Sequence, residues 1–133
     1  MAGKPNRTRY EAIPPYTTKD GSTIRELMHP DHTAVRNLSV AEAAVLPGQV
    51  TLPHTHQSSE EVYHILAGQG RITLGGDLFD VAAGDTVVIP PGTIHTIANT
   101  GSAALRILCC CAPPYRHDDT SLAGALNQPQ PEE

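Results

Sequence analysis

Apolar and polar positions alternate along much of the chain in short runs, each closed within a few residues by Gly, Pro, Asn or Asp. Residues 22–27 (STIREL), 37–46 (NLSVAEAAVL), 50–56 (VTLPHTH), 61–67 (EVYHILA) and 71–74 (RITL) read as strands. So do residues 77–81 (DLFDV), 86–89 (TVVI), 93–98 (TIHTIA) and 104–111 (ALRILCCC). Gly75-Gly76 joins two of these runs as a hairpin turn would, while Pro47-Gly48 and Pro90-Pro91-Gly92 break others. No stretch carries the periodicity of an amphipathic helix. Strands this short must close on themselves to hide their edges, so the pattern predicts an all-β barrel or sandwich.

The flanks read differently. Residues 1–21 are polar and broken at Pro14-Pro15, which suggests an N-terminal arm ahead of a barrel over residues 22–116. Residues 117–133, HDDTSLAGALNQPQPEE, have little to bury and are expected to form a disordered tail. The stretch STIRELMHP is positioned to lend a strand to a neighbouring subunit, and a homodimer is expected.

Composition narrows the classes. A chain of 133 residues has room for one domain, and its 12 Pro and 11 Gly suit many short elements better than a helical bundle. With no Trp and one Phe, the core must be built from Val, Ile, Leu and Ala. A net charge of -5 with no long basic run argues against a nucleic-acid partner. No apolar run reaches transmembrane length, so no membrane association is expected. The basic start, MAGKPNRTRYEAIPPY, lacks the apolar stretch of a secretory signal. The cysteines, Cys109 to Cys111, are consecutive and odd in number, which does not make a disulfide framework. A cytoplasmic location is expected.

Candidate chemistry concentrates between Pro53 and Gly70, which hold His54, His56, His64, Glu60 and Glu61. On an extended strand His54 and His56 project from the same face. A hairpin-like return through residues 57–60 would set Glu61 beside them, and His95, after the rigid PPGT turn, is a fourth candidate. Three imidazoles and one carboxylate suit a divalent first-row metal with positions left open for a ligand. His64 has the opposite strand parity and is expected to point away. Tyr63 shares the parity of Glu61 and is the candidate catalytic side chain, as a hydrogen-bond donor or, with a lowered pKa, as a base. Cys109 and Cys111 alternate with Cys110 on an apolar strand and read as packing residues. Arg25, Arg36, Arg71 and Arg106 are candidate anion clamps.

Two spaced motifs carry a family resemblance. Gly48, five residues, His54, one, His56, four, Glu61, six and Gly68 form the first. Gly84, five residues, Pro90, one, Gly92, two, His95, three and Asn99 form the second. Together they resemble the motif pair of the cupins, over about Leu38 to Cys111, with the short separation of the compact single-domain type. The six-residue gap to Gly68 selects Glu61 over Glu60. The resemblance implies a small jelly-roll β-barrel (a double-stranded β-helix), dimeric, with one divalent metal inside it held by His54, His56, Glu61 and His95. Manganese or iron is preferred, and zinc or nickel also suit the ligand set.

Three neutral imidazoles and one carboxylate leave a divalent centre with roughly one positive charge, which favours a small anionic ligand. The implied functions are those of metal-dependent enzymes (oxygenase, decarboxylase, isomerase or lyase) acting on a small carboxylate or polyol. The alternative is a non-catalytic small-ligand binding or sensor module. No helix-turn-helix segment supports a DNA-binding regulator.

Overall fold

A computed structural model describes residues 3–123, and among these all of the long-range order is β structure. The strands are β1 (Tyr16–Thr17), β2 (Thr23–Met28), β3 (Ser39–Val45), β4 (His54–His56), β5 (Glu60–Ala67), β6 (Gln69–Leu74), β7 (Asp77–Ala82), β8 (Thr86–Ile89), β9 (His95–Asn99), β10 (Leu105–Ala112) and β11 (Thr120–Leu122). Two antiparallel sheets face each other, ordered β1-β2-β3-β10-β5-β8 and β11-β4-β9-β6-β7. The architecture is a jelly roll, as the family resemblance implies, built from the short strands that the pattern predicts.

Period-two alternation decides which residues meet in the interior. Along β10, Leu105, Ile107, Cys109 and Cys111 are buried and the residues between them are more open. Ile65 from β5, Ile72 from β6, Ile89 from β8 and Ile97 from β9 complete the centre, each at most 1% exposed. Aliphatic β-branched residues thus fill the space that this composition leaves without large aromatics.

The arm packs against the barrel. Tyr10 folds back onto the outer face of the first sheet, where the Arg25 guanidinium sits 4.3 Å above its ring and its hydroxyl donates to Glu42. Within the chain the STIRELMHP stretch pairs through β2 with β3, Arg25 opposite Glu42.

The expected disordered tail is also ordered over its first part. Residues 117–119 form a 3-10 turn and β11 pairs with β4, Thr120 opposite His56 and Leu122 opposite His54. The physical reason is β4 itself. It is three residues long and meets β9 through His54 and His95, so its other edge needs backbone partners. Asp119 adds to the clasp by accepting from Ser58 N at 3.0 Å, and the Asp119 carbonyl accepts from Gln57 N at 2.9 Å. The remainder of the expected tail, 124–133, lies outside the described residues.

Candidate metal centre

The site forms where the two sheets face each other at one end of the barrel. His54 and His56 come from β4 and His95 from β9, all in the second sheet. Glu61 comes from β5 in the first sheet. The expected hairpin-like return is therefore a crossing from sheet to sheet, with residues 57–59 spanning the gap. The ligand atoms of His54, His56 and His95 lie within 4.8 Å of one another. Glu61 Oε1 approaches His56 Nε2 at 3.1 Å and His95 Nε2 at 3.5 Å. All four side chains are buried.

The outer nitrogens define the imidazole tautomers. His54 Nδ1 lies 2.9 Å from the Leu52 carbonyl and His95 Nδ1 lies 3.0 Å from the Thr93 carbonyl. A carbonyl only accepts, so both Nδ1 atoms carry the proton. His56 Nδ1 lies 3.0 Å from Thr120 Oγ1, whose own hydrogen is given to the Arg116 carbonyl, so this Nδ1 donates as well. Each neutral ring then turns an Nε2 lone pair inward, the arrangement that metal-bound histidines adopt with their outer partners.

Those lone pairs face a carboxylate. Glu61 Oε1 and His95 Nε2 are buried without a hydrogen-bond partner. Orphaned acceptors at this depth call for something positive between them. A divalent cation satisfies the whole set at once, so the residues present fit one. Burial acts to raise the Glu61 pKa, and only a donor or positive charge at the His56 and His95 Nε2 positions lowers it, a part that a cation takes when those rings are neutral. Burial, with His95 alongside, lowers His54 to about 4, so its ring stays neutral near pH 7.

The cavity around the site is narrow. Its inner part has room for a few waters or one small anion. Tyr63, Cys109 and Cys111 form one wall, and Tyr16, Glu26 and Tyr115 stand at a mouth shared with a wider outer pocket. Tyr63 points inward as its parity predicts, its ring centroid 6.0 Å from that of His95. Burial and then the Glu61 charge push its phenol well above its ordinary pKa. That is the opposite of the lowering a base would need, and it leaves a hydrogen-bond donor.

Glu60 is exposed and His64 faces outward onto Thr86 Oγ1 at 2.7 Å, so neither belongs to the site. None of the four candidate arginines lines the cavity. Arg106 pairs with Glu42 and Arg71 with Asp80 on the outside, while Lys19 is the cavity's cationic side chain and is tied to the His117 and Thr120 carbonyls.

Four neighbours were not anticipated. Thr120 orients His56, the Cys111 thiol lies 3.4 Å from Glu61 Oε2, Tyr115 packs 5.8 Å from the His56 ring, and Asp20 Oδ2 lies 3.5 Å from His54 Nε2. Strand alternation is a signal that placed Cys111 inward. Nothing local in the sequence marks Asp20, Tyr115 or Thr120, which reach the site from beyond both ends of the motif-bearing segment.

Comparison with known proteins agrees with this geometry. A model of the cupin domain matches residues 41–111. An uncharacterized protein of Methanocaldococcus jannaschii is 52% identical over 116 residues, covering 87% of this chain and 93% of that protein. The oxalate-binding protein of Thermotoga maritima is 36% identical over 62 residues, covering 47% of this chain and 51% of its own. Among solved structures, a predicted oxalate decarboxylase of Thermotoga maritima superposes with a TM-score of 0.70 at 24% identity, covering 79% of this chain and 96% of that one. The formate complex of Lactobacillus farciminis oxalate decarboxylase gives 0.80 at 20% identity, covering 96% of this chain and 39% of that one. With the family model spanning more than half of its length and a three-histidine cluster inside a jelly roll, the chain belongs to the cupin family.

Proposed function

We propose that the protein is a metal-dependent cupin enzyme acting on a small carboxylate, with His54, His56, His95 and Glu61 as the metal ligands. The carrying observation is the inward convergence of three Nε2 lone pairs and the orphaned Glu61 Oε1. A bound divalent ion would supply Lewis acidity, polarising an oxygen of the ligand. Manganese or iron is the preferred ion.

This chain's own groups do the rest. The Nδ1–H donations to Leu52, Thr93 and Thr120 keep the rings in the metal-binding tautomer. The narrow inner cavity suits a ligand whose metal-facing end is small. Tyr63, kept un-ionised by burial, donates a hydrogen bond to the bound anion. A homodimer in the cytoplasm belongs to the same reading, since Leu66 and Val88 stand exposed on the outer face of the first sheet, where a second copy would cover them.

Elemental analysis of the purified protein, followed by a screen of small carboxylates with dioxygen consumption and products monitored, tests the reading. His56→Ala is expected to lose both metal and turnover, and turnover in a metal-free variant would refute it. A second reading, a non-catalytic carboxylate carrier, is favoured by the likeness to the oxalate-binding protein. Oxalate bound in calorimetry, with no product after long incubation under air, would establish that alternative.

A further inference from the structure

Asp20 lies in the turn between β1 and β2, outside both sequence motifs, yet its side chain enters the cavity. Its two oxygens are used unequally. Oδ1 accepts from Thr18 Oγ1 at 2.7 Å, from Ser22 N at 2.9 Å and from Ser22 Oγ at 2.6 Å. Those donors pin the carboxylate and leave Oδ2 free. Oδ2 then stands 3.5 Å from His54 Nε2, the same separation that Glu61 Oε1 keeps from His95 Nε2.

The proton count makes this contact informative. His54 Nδ1 gives its hydrogen to the Leu52 carbonyl, so in the neutral ring Nε2 has only a lone pair to present. A carboxylate oxygen held against that lone pair is repelled unless a positive charge lies between the two. The Glu61 contacts with His56 and His95 have the same form.

We propose that Asp20 is a fifth protein ligand, binding through Oδ2 the same divalent ion that His54, His56, His95 and Glu61 hold. This rests on the metal-centre reading above and extends it. With two carboxylates the centre becomes neutral, so an incoming carboxylate competes with Asp20 for its position instead of entering an open positive site. The arm thereby becomes part of the site, through three donors that act on one oxygen and aim the other.

Asp20→Asn separates ligation from packing, because the amide oxygen can keep the Thr18 and Ser22 bonds while the nitrogen replaces Oδ2. The full chain is loaded with Co²⁺, and metal affinity, the visible ligand-field absorption and the unfolding temperature are measured. The variant is expected to bind Co²⁺ at least about tenfold more weakly, beyond the lower bound for lost outer partners, with a shifted ligand-field band. Wild-type affinity with an unchanged band overturns the proposal. Weakened affinity with an unchanged band also overturns it, since Asp20 would then act only through His54. Should Asp20→Asn not fold, Asp20→Ser, which still accepts from Ser22 N, is read against the same outcomes. His56→Ala run in parallel tests the centre itself: if it keeps wild-type Co²⁺ binding, the four-ligand reading fails and this proposal with it, whereas loss in His56→Ala with no change in Asp20→Asn refutes Asp20 alone.

Discussion

Thr120 Oγ1 lies 3.0 Å from His56 Nδ1 while donating its own hydrogen to the Arg116 carbonyl. The hydroxyl is thus committed as an acceptor, and it fixes both the tautomer and the rotation of His56. The last described strand of the chain therefore orients a ring 64 residues away.

Thr120→Val keeps the shape of that side chain and removes the acceptor. Metal affinity is expected to fall by about 10–100-fold, as for other outer partners of metal-bound histidines, while Thr120→Ser stays near wild type. Competition with a chromogenic chelator reads the difference. A valine variant with wild-type affinity would show that His56 needs no fixed partner.

Tyr63→Phe removes the phenol that faces the cavity and leaves the ring. Metal content is expected to stay unchanged. Oxalate binding to the loaded protein should weaken by about 3–10-fold, the size of one neutral hydrogen bond. Calorimetry on the two proteins decides it, and equal affinities would remove Tyr63 from the ligand's surroundings.

Glu26 titrates with a definite sign. Burial raises its pKa above the ordinary 4.5, with one buried oxygen left unpartnered. A carboxyl raised by folding contributes stability that is complete below pH 4.5 and is lost as pH rises through the folded value. Glu26→Gln should therefore raise the unfolding temperature of chelator-treated protein at pH 7 and leave it nearly unchanged at pH 4. Equal shifts at the two pH values would contradict this.

Gly68 has φ +88°, and a Cβ there would come within 2.9 Å of the Ala104 carbonyl oxygen. Gly68→Ala meets both the left-handed backbone and a rigid neighbour. A loss of about 1–3 kcal/mol is expected from backbone strain alone, measured by denaturant unfolding. A variant as stable as wild type would mean that the β5–β6 corner relaxes freely.

Much of this protein is legible without coordinates, for a local reason. Strand alternation acts on successive residues, so the inward set of β10, the outward turn of His64 and the inward turn of Tyr63 follow from parity. The spacing of His54, His56, Glu61 and His95 likewise marks four side chains that the fold draws together. What parity and spacing cannot carry is pairing between distant segments. A polar stretch such as HDDTSL looks unable to bury anything, yet it is held by main-chain hydrogen bonds to β4, which are blind to side-chain polarity. Asp20 is equally silent in the sequence, because its role depends on where a turn closes against the opposite sheet. The strands were thus written into local alternation and the four-residue cluster into motif spacing, whereas the tail clasp, the mouth and the Asp20 contact arise only when two sheets fold face to face and their ends meet.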